Sequence, residues 1–184
     1  RVSPRQSHVS RLLVDYAKAG QRIVRLKSGD AGIFGRLEEE VIAVRAAGIS
    51  YEIIPGVTSP CAAAAAAGIP LTRRQTAQRV QFVTGADVTG GLPSGYNLAA
   101  LADPTATTVV FMGRRTFPQL ARTLIAHGLP PTTPTLLAEA VGHSDQKLTR
   151  GNLEGLAAEL STGTSVAPVL ILYGPLANIA DDTA

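Results

Sequence analysis

Extended apolar runs alternate with helical runs along this chain, and glycine or proline marks most of the crossings. "VRLK" leads through "SGDAGIFG" into "LEEEVIAVRAAG", "SYEIIPG" into "TSPCAAAAAAG", and "TTVVFMG" into "RRTFPQLARTLIAHG". A chain patterned this way must cover its sheets with helices, so the expected class is α/β. Glycine between a strand and a helix lets the backbone approach something closely. In open α/β sheets that position lies at the carboxyl ends of the strands, where ligands bind.

The same punctuation gives the element plan. Ser3 as N-cap, Pro4 at the first helical position and Gln6 in a capping box open a helix that Gly20 closes. Strands are expected at 21–27 and 50–56. A helix follows the glycine loop through Ala47, and another runs from Thr58 or Ser59 through the alanines of 62–67. The polar stretch "GIPLTRRQTAQR" predicts a boundary near residue 71, giving two α/β domains, 1–70 and 71–184. In the second, "VQFVTG", "TTVVFMG", "TPTLLAEAVG", "QKLTRG" and "APVLILYG" are expected strands. "NLEGLAAELST" is an expected helix, and so is the run after Met112, with Thr116 and Gln119 as its capping box.

Composition removes several classes of function. Among the 184 residues no apolar run reaches the ~18–20 residues of a membrane span. The polar, basic start is unlike a signal peptide. The single cysteine, Cys61, cannot form an internal disulfide, which fits a reducing cytoplasm. A net charge of +3 suits an anionic small molecule at least as well as nucleic acid, and 4% aromatics without Trp argue against base-stacking platforms. His8, His127 and His143 are scattered without metal-ligand spacing, so no metal is expected.

The loops match neither common phosphate motif. Gly29, Gly32 and Gly35 are spaced G-x-x-G-x-x-G, which is not the dinucleotide fingerprint, and Lys27-Ser28 precede the glycines, which is not a P-loop. On spacing alone Asp30 reads as a cap for the next helix. Thr58 and Ser59 offer hydroxyls and amides at a helix start, either as a plain N-cap or as a ligand platform. Met112 reads as core or as the wall of an adenine-sized slot beside Gly113. Arg73 and Arg74 stand near the expected boundary, where guanidinium groups would gather carboxylates. Arg114 and Arg115 read as solvated charges, and Glu38-Glu39-Glu40 as the solvated first turn of a helix.

Taken in order, "VRLKSGDAGIFGR", "IIPGVTSPCAAAAAAGIPLTRR", "VTGADVTGGLP", "LADPTATTVVFMGRRT" and "APVLILYG" resemble the tetrapyrrole methylase family, most of all its members that methylate uroporphyrinogen III. The resemblance implies two α/β domains with S-adenosylmethionine in the cleft between them, and a homodimer. It implies C-methylation of uroporphyrinogen III to precorrin-2, for cobalamin and siroheme. A later precorrin C-methylation, or a remnant that binds cofactor without chemistry, are the alternatives. Residue by residue, it assigns the cofactor to Ser28, Gly29, Asp30, Ile33, Thr58, Ser59 and Met112, with a further contact near Ala140. Arg73, Arg74 and Arg114, with Gln6 in a Pro-x-Gln stretch, are the candidates for the polycarboxylate substrate. Ala31 and Gly32 replace the family's usual Pro and Phe. The family's first strand, its Gly-Pro-Gly-Asp-Pro loop and its Gly-Lys-Arg segment would precede residue 1. The proposed catalytic aspartate and lysine lie there, so no catalytic acid or base is assigned.

Overall fold

The computed structural model describes residues 6–165 and 167–177. The chain divides into two compact units, Arg1–Thr58 and Ser59–Ala184.

In the first unit, α1 (Gln6–Lys18) and α2 (Leu37–Ala46) pack on each other. The expected caps Ser3 and Pro4 lie outside the described residues. Gly20 and Gly48 follow the two helices, as the sequence pattern requires. The expected strands at 21–27 and 50–56 are not strands: no ladder forms on either segment among the described residues. A strand exists only where a neighbour completes its hydrogen bonds, and here both segments run unpaired. Val24, Leu26 and Ile54 are 74%, 80% and 70% exposed. No apolar side chain of this unit is buried among the described residues; its buried side chains are Ser10 and Glu40.

The second unit carries a mixed five-stranded sheet of order β1-β2-β5-β3-β4. Its strands are β1 (Arg79–Thr84), β2 (Ala106–Phe111), β3 (Pro134–Glu139), β4 (Lys147–Asn152) and β5 (Val169–Tyr173). All five were expected, four from apolar runs and β4 from the polar stretch "QKLTRG". β1 and β2 are parallel, while β5 runs antiparallel to both β2 and β3. Strands β2 and β3 therefore point the same way and end at one edge, Phe111 opposite Leu170 and Glu139 opposite Val169.

Both faces of this sheet are covered, which is why its central strands read as continuous apolar runs. Helices α5 (Phe117–Ala126) and α6 (Leu153–Thr162) cover one face, where Val110, Leu137 and Ile171 meet Phe117, Leu124 and Leu156. On the other face Val109, Leu136 and Leu172 meet Ala63 and Ala64 of α3 (Ser59–Ala67). Each such fully buried large side chain contributes about 1.5–3 kcal/mol. The alanine tract lets α3 lie against β5, so α3 belongs to the second unit. The division accordingly falls after Thr58, where the sequence suggested residue 71. A short helix the sequence reading passed over, α4 (Leu98–Leu101), is capped by the Asn97 side chain.

Candidate functional site

The glycine loop is organised by Asp30, but not as a helix cap. Helix α2 starts at Leu37, its N-cap is Arg36, and no side chain caps it. Instead one carboxylate oxygen of Asp30 accepts from the Gly32 amide at 2.7 Å and the other from the Gly56 amide at 2.9 Å. These two amides hold the Asp30 carboxyl below the usual carboxylate range, against a small opposing effect of burial. The clamp brings the loop onto the turn that follows Ile54. A Cβ on Gly56 would run into the Gly29 carbonyl, and Gly29 itself has φ +69°, so both positions require glycine. Ser28, Gly29 and Asp30 are thus joined to the turn leading into Thr58, with Ser28 exposed and Asp30, Ile33 and Thr58 half-buried.

The acidic triplet of α2 divides sharply. Glu38 and Glu39 are exposed, Glu39 pairing with Arg36 at 2.6 Å. Glu40 is not solvated as expected: its residue is 4% exposed, and it binds Gln6, Arg25 and Lys27. The Gln6 side chain is therefore engaged inside the unit. Phe34 and Arg36, both at positive φ, line a shallow cavity of about 440 Å³ with Arg45, Tyr51 and Ile53. The Arg45 Nε donates to the Tyr51 hydroxyl at 2.6 Å.

In the second unit, Met112 and Ala140 occupy equivalent places. Each follows the last residue of a strand, β2 or β3, on either side of β5. Each is a non-glycine residue in the left-handed region, at φ +55° and +46°. Such conformations cost of order 1–3 kcal/mol each and persist where the surroundings over-determine them. The determinant here is visible. Arg114, two residues after Met112, makes an ion pair with Glu139, the residue before Ala140. Its Nε also donates to the Ala167 carbonyl at 2.9 Å. Met112 is not core: it is 54% exposed, beside a cavity of about 550 Å³ that Arg114, Arg115 and Thr116 also line. Thr116 sits at the N-cap of α5 as expected, but its hydroxyl donates to the Gly85 and Gly113 carbonyls and does not cap the helix.

The substrate candidates separate by the state of their side chains. Arg73 and Arg74 are exposed, in a short turn where the Arg73 amide donates to the Ala77 carbonyl at 2.9 Å. Arg114 is neither solvated nor free, its guanidinium committed to Glu139 and Ala167. Arg115, set aside as a solvated charge, is exposed at the rim of the 550 Å³ cavity, 3.5 Å from the Gly90 carbonyl. Neither Glu139 nor Glu40 was singled out from sequence. Their partners lie 25 residues away and up to 34 residues away, distances over which no local periodicity speaks.

The sequence profile of the Tetrapyrrole (Corrin/Porphyrin) Methylases matches residues 2–157. The chain belongs to that family. Among curated tetrapyrrole methylase relatives, a siroheme synthase of Psychrobacter sp. is 37% identical over 179 residues, 97% of this chain and 36% of its own length. The chloroplastic S-adenosyl-L-methionine-dependent uroporphyrinogen III methyltransferase of Arabidopsis thaliana is 38% identical, over 95% of this chain and 47% of its own length. The chain thus spans between about a third and a half of these two relatives. A solved uroporphyrin-III C-methyl transferase of Thermus thermophilus, complexed with S-adenosylhomocysteine, superposes with a TM-score of 0.77 at 35% identity, covering 92% of this chain and 73% of that one. A cobalt precorrin-4 methyltransferase superposes at 0.82 with 27% identity, over 94% and 72%. In this tetrapyrrole methylase, Ser28, Gly29, Asp30, Ile33 and Thr58 lie in the first unit, and Ser59, Met112 and Ala140 in the second.

Proposed function

We propose that this chain is the methyl-transferring part of an S-adenosylmethionine-dependent enzyme that converts uroporphyrinogen III to precorrin-2, on the way to siroheme and cobalamin. The observation that carries the reading is the Asp30 clamp within a family-matched loop: it leaves Ser28 exposed beside the turn before Thr58. The strained Met112 and Ala140, held by Arg114 and Glu139, support it from the second unit.

The residues fit such a cofactor chemically. An exposed thioether, bare glycine backbone and the hydroxyls of Ser28, Thr58 and Ser59 suit an adenosyl group and an amino-acid tail. S-adenosylmethionine would supply a methyl group already activated on a sulfonium. The chain's task is then to hold donor and acceptor carbon ~3–3.5 Å apart and in line. Ser28, Gly29, Asp30, Ile33, Thr58, Ser59, Met112 and Ala140 would be the residues that bind the donor. Arg73, Arg74 and Arg115 would attract a polycarboxylate substrate, since guanidinium pairs with carboxylate through two parallel hydrogen bonds. Gln6 and Arg114 would act through the frame they brace. No residue is assigned as acid or base. The reading includes a homodimer in a reducing cytoplasm, where the exposed Cys61 would stay a thiol.

The test is anaerobic incubation of the chain with uroporphyrinogen III and methyl-labelled S-adenosylmethionine. Label in precorrin-2 is expected. The higher TM-score with the cobalt precorrin-4 methyltransferase favours a second reading, methylation of a later precorrin. Label passing only to a later precorrin would select that reading, and no transfer to any tetrapyrrole would refute both.

A further inference from the structure

Among the described residues Glu40 is the only charged side chain that is buried, in a unit that buries no apolar side chain. Its carboxylate collects three donors from two stretches of chain. Gln6 Nε2 reaches it at 2.9 Å from α1, Arg25 Nε at 3.0 Å and Lys27 Nζ at 2.8 Å. Glu40 itself stands in the first turns of α2. The Lys27 side chain is 12% exposed and the Glu40 side chain 5%, so this is a desolvated pair, not a surface one. Side chains alternate along an extended segment. Arg25 and Lys27 therefore turn toward the helices, while Val24 and Leu26 face outward at 74% and 80% exposure.

Lys27 is the residue immediately before Ser28. The next fixed point along the chain is Asp30, tied to Gly56. The loop Ser28–Asp30 is consequently suspended between two carboxylate anchors, Glu40 before it and Asp30 within it. Among the described residues of this unit, no buried apolar side chain fixes the loop.

We propose that Glu40 is a positioning residue for the cofactor loop: through Lys27 and Arg25 it fixes where Ser28, Gly29 and Asp30 stand. The proposal rests on the reading of that loop as cofactor-binding. Glu40 touches no ligand; it acts through the backbone it holds. A preorganised loop binds without first being ordered, so loosening its anchor weakens binding while the ligand's own contacts remain present.

The experiment measures S-adenosylhomocysteine affinity by calorimetry and hydrogen exchange of residues 28–33, on the 184-residue chain and its variants. Glu40→Gln is expected to weaken binding about tenfold, the scale of the cost of ordering one or two side chains on binding. Exchange at 28–33 should rise, while exchange in β2 and β5 stays as in the parent. Glu38→Gln, on the exposed face of the same helix, should change neither. Lys27→Met should reproduce the loss, and Lys27→Arg, which keeps a donor for Glu40, should restore most of it. Where Glu40→Gln does not fold, Lys27→Met decides, since it leaves Glu40 with Arg25 and Gln6. Parent-like affinity and exchange in a folded Glu40→Gln or Lys27→Met would overturn the proposal. A parent chain that binds no S-adenosylhomocysteine would instead refute the cofactor reading. The exchange at 28–33 would then still judge whether Glu40 holds the loop.

Discussion

The two units reach a fixed backbone by opposite means. In Ser59–Ala184, side chains such as Phe117, Leu136 and Ile171 are fully buried on the two faces of one sheet. Among the described residues of Arg1–Thr58 the extended segments form no ladder, Val24 and Ile54 are exposed, and the buried side chains are Ser10 and the caged Glu40. Each unit carries candidate cofactor residues, and those stretches are braced by acidic side chains: Asp30 and Glu40 in one, Glu139 in the other. The lesson is that the same device rests on different foundations. The Arg114–Glu139 pair sits on a backbone that apolar packing already holds, whereas the loop of the first unit is tied by the Asp30 clamp and flanked by the Glu40 cage.

The sharpest contrast is in stability. Phe117→Ala, at a fully buried position against Tyr173, should cost about 3–5 kcal/mol in denaturant unfolding followed by circular dichroism. Ile54→Ser, an equally drastic change at a 70% exposed position, should stay within about 0.5 kcal/mol. Similar losses for the two would mean that the first unit has a core after all.

Acid should separate the units next. Hydrogen bonds hold Asp30 and Glu40 below their ordinary ranges; for Glu40 burial opposes this, and the bonds from Lys27, Gln6 and Arg25 outweigh it. A carboxyl depressed in the folded state lends stability that is complete above its unfolded value and disappears as pH falls through the folded one. Since unfolded carboxyls titrate at about 3.9–4.3, exchange at 24–57 should rise as pH drops below that range. Asp87 and Asp103 of the second unit are depressed as well, by Thr89 and Thr105, but they sit in surface turns. Strands β2 and β5 should therefore keep their protection. Loss of β2 protection before that of 24–57 would reverse the comparison.

Smaller effects test the finer parts. Asp30→Ala should weaken S-adenosylhomocysteine binding more than Glu38→Ala does, because only Asp30 ties the loop to Gly56. Equal affinities in calorimetry would show that the clamp is irrelevant to the ligand. Smallest of all, Arg79→Ala removes a half-exposed pair with Asp103 and should shift stability by no more than about 1 kcal/mol.

How much of this was legible in sequence follows the same division. The central strands of the second unit announced themselves, because runs such as "TTVVF" and "VLILY" are apolar on both faces and bounded by turns. The segments at 21–27 and 50–56 carried the same signal, yet a strand needs a partner that pattern alone does not name. Spacing alone made Asp30 a cap for α2 and the family resemblance made it a cofactor residue, but neither could reveal Gly56 26 residues on. Glu40 was hidden among its own neighbours: three consecutive glutamates look alike in sequence, and only the turn of α2 decides which one faces inward. Arg114 with Glu139 was invisible for a similar reason, an ion pair created by strand order and not by proximity in the chain.

The most direct test is a footprint of bound S-adenosylhomocysteine, read by hydrogen exchange along the whole chain. The account predicts that protection rises together at 28–33, 56–59, 110–113 and 139–142, from both units in one binding event. Protection confined to a single unit, or gathered away from all four segments, would contradict it.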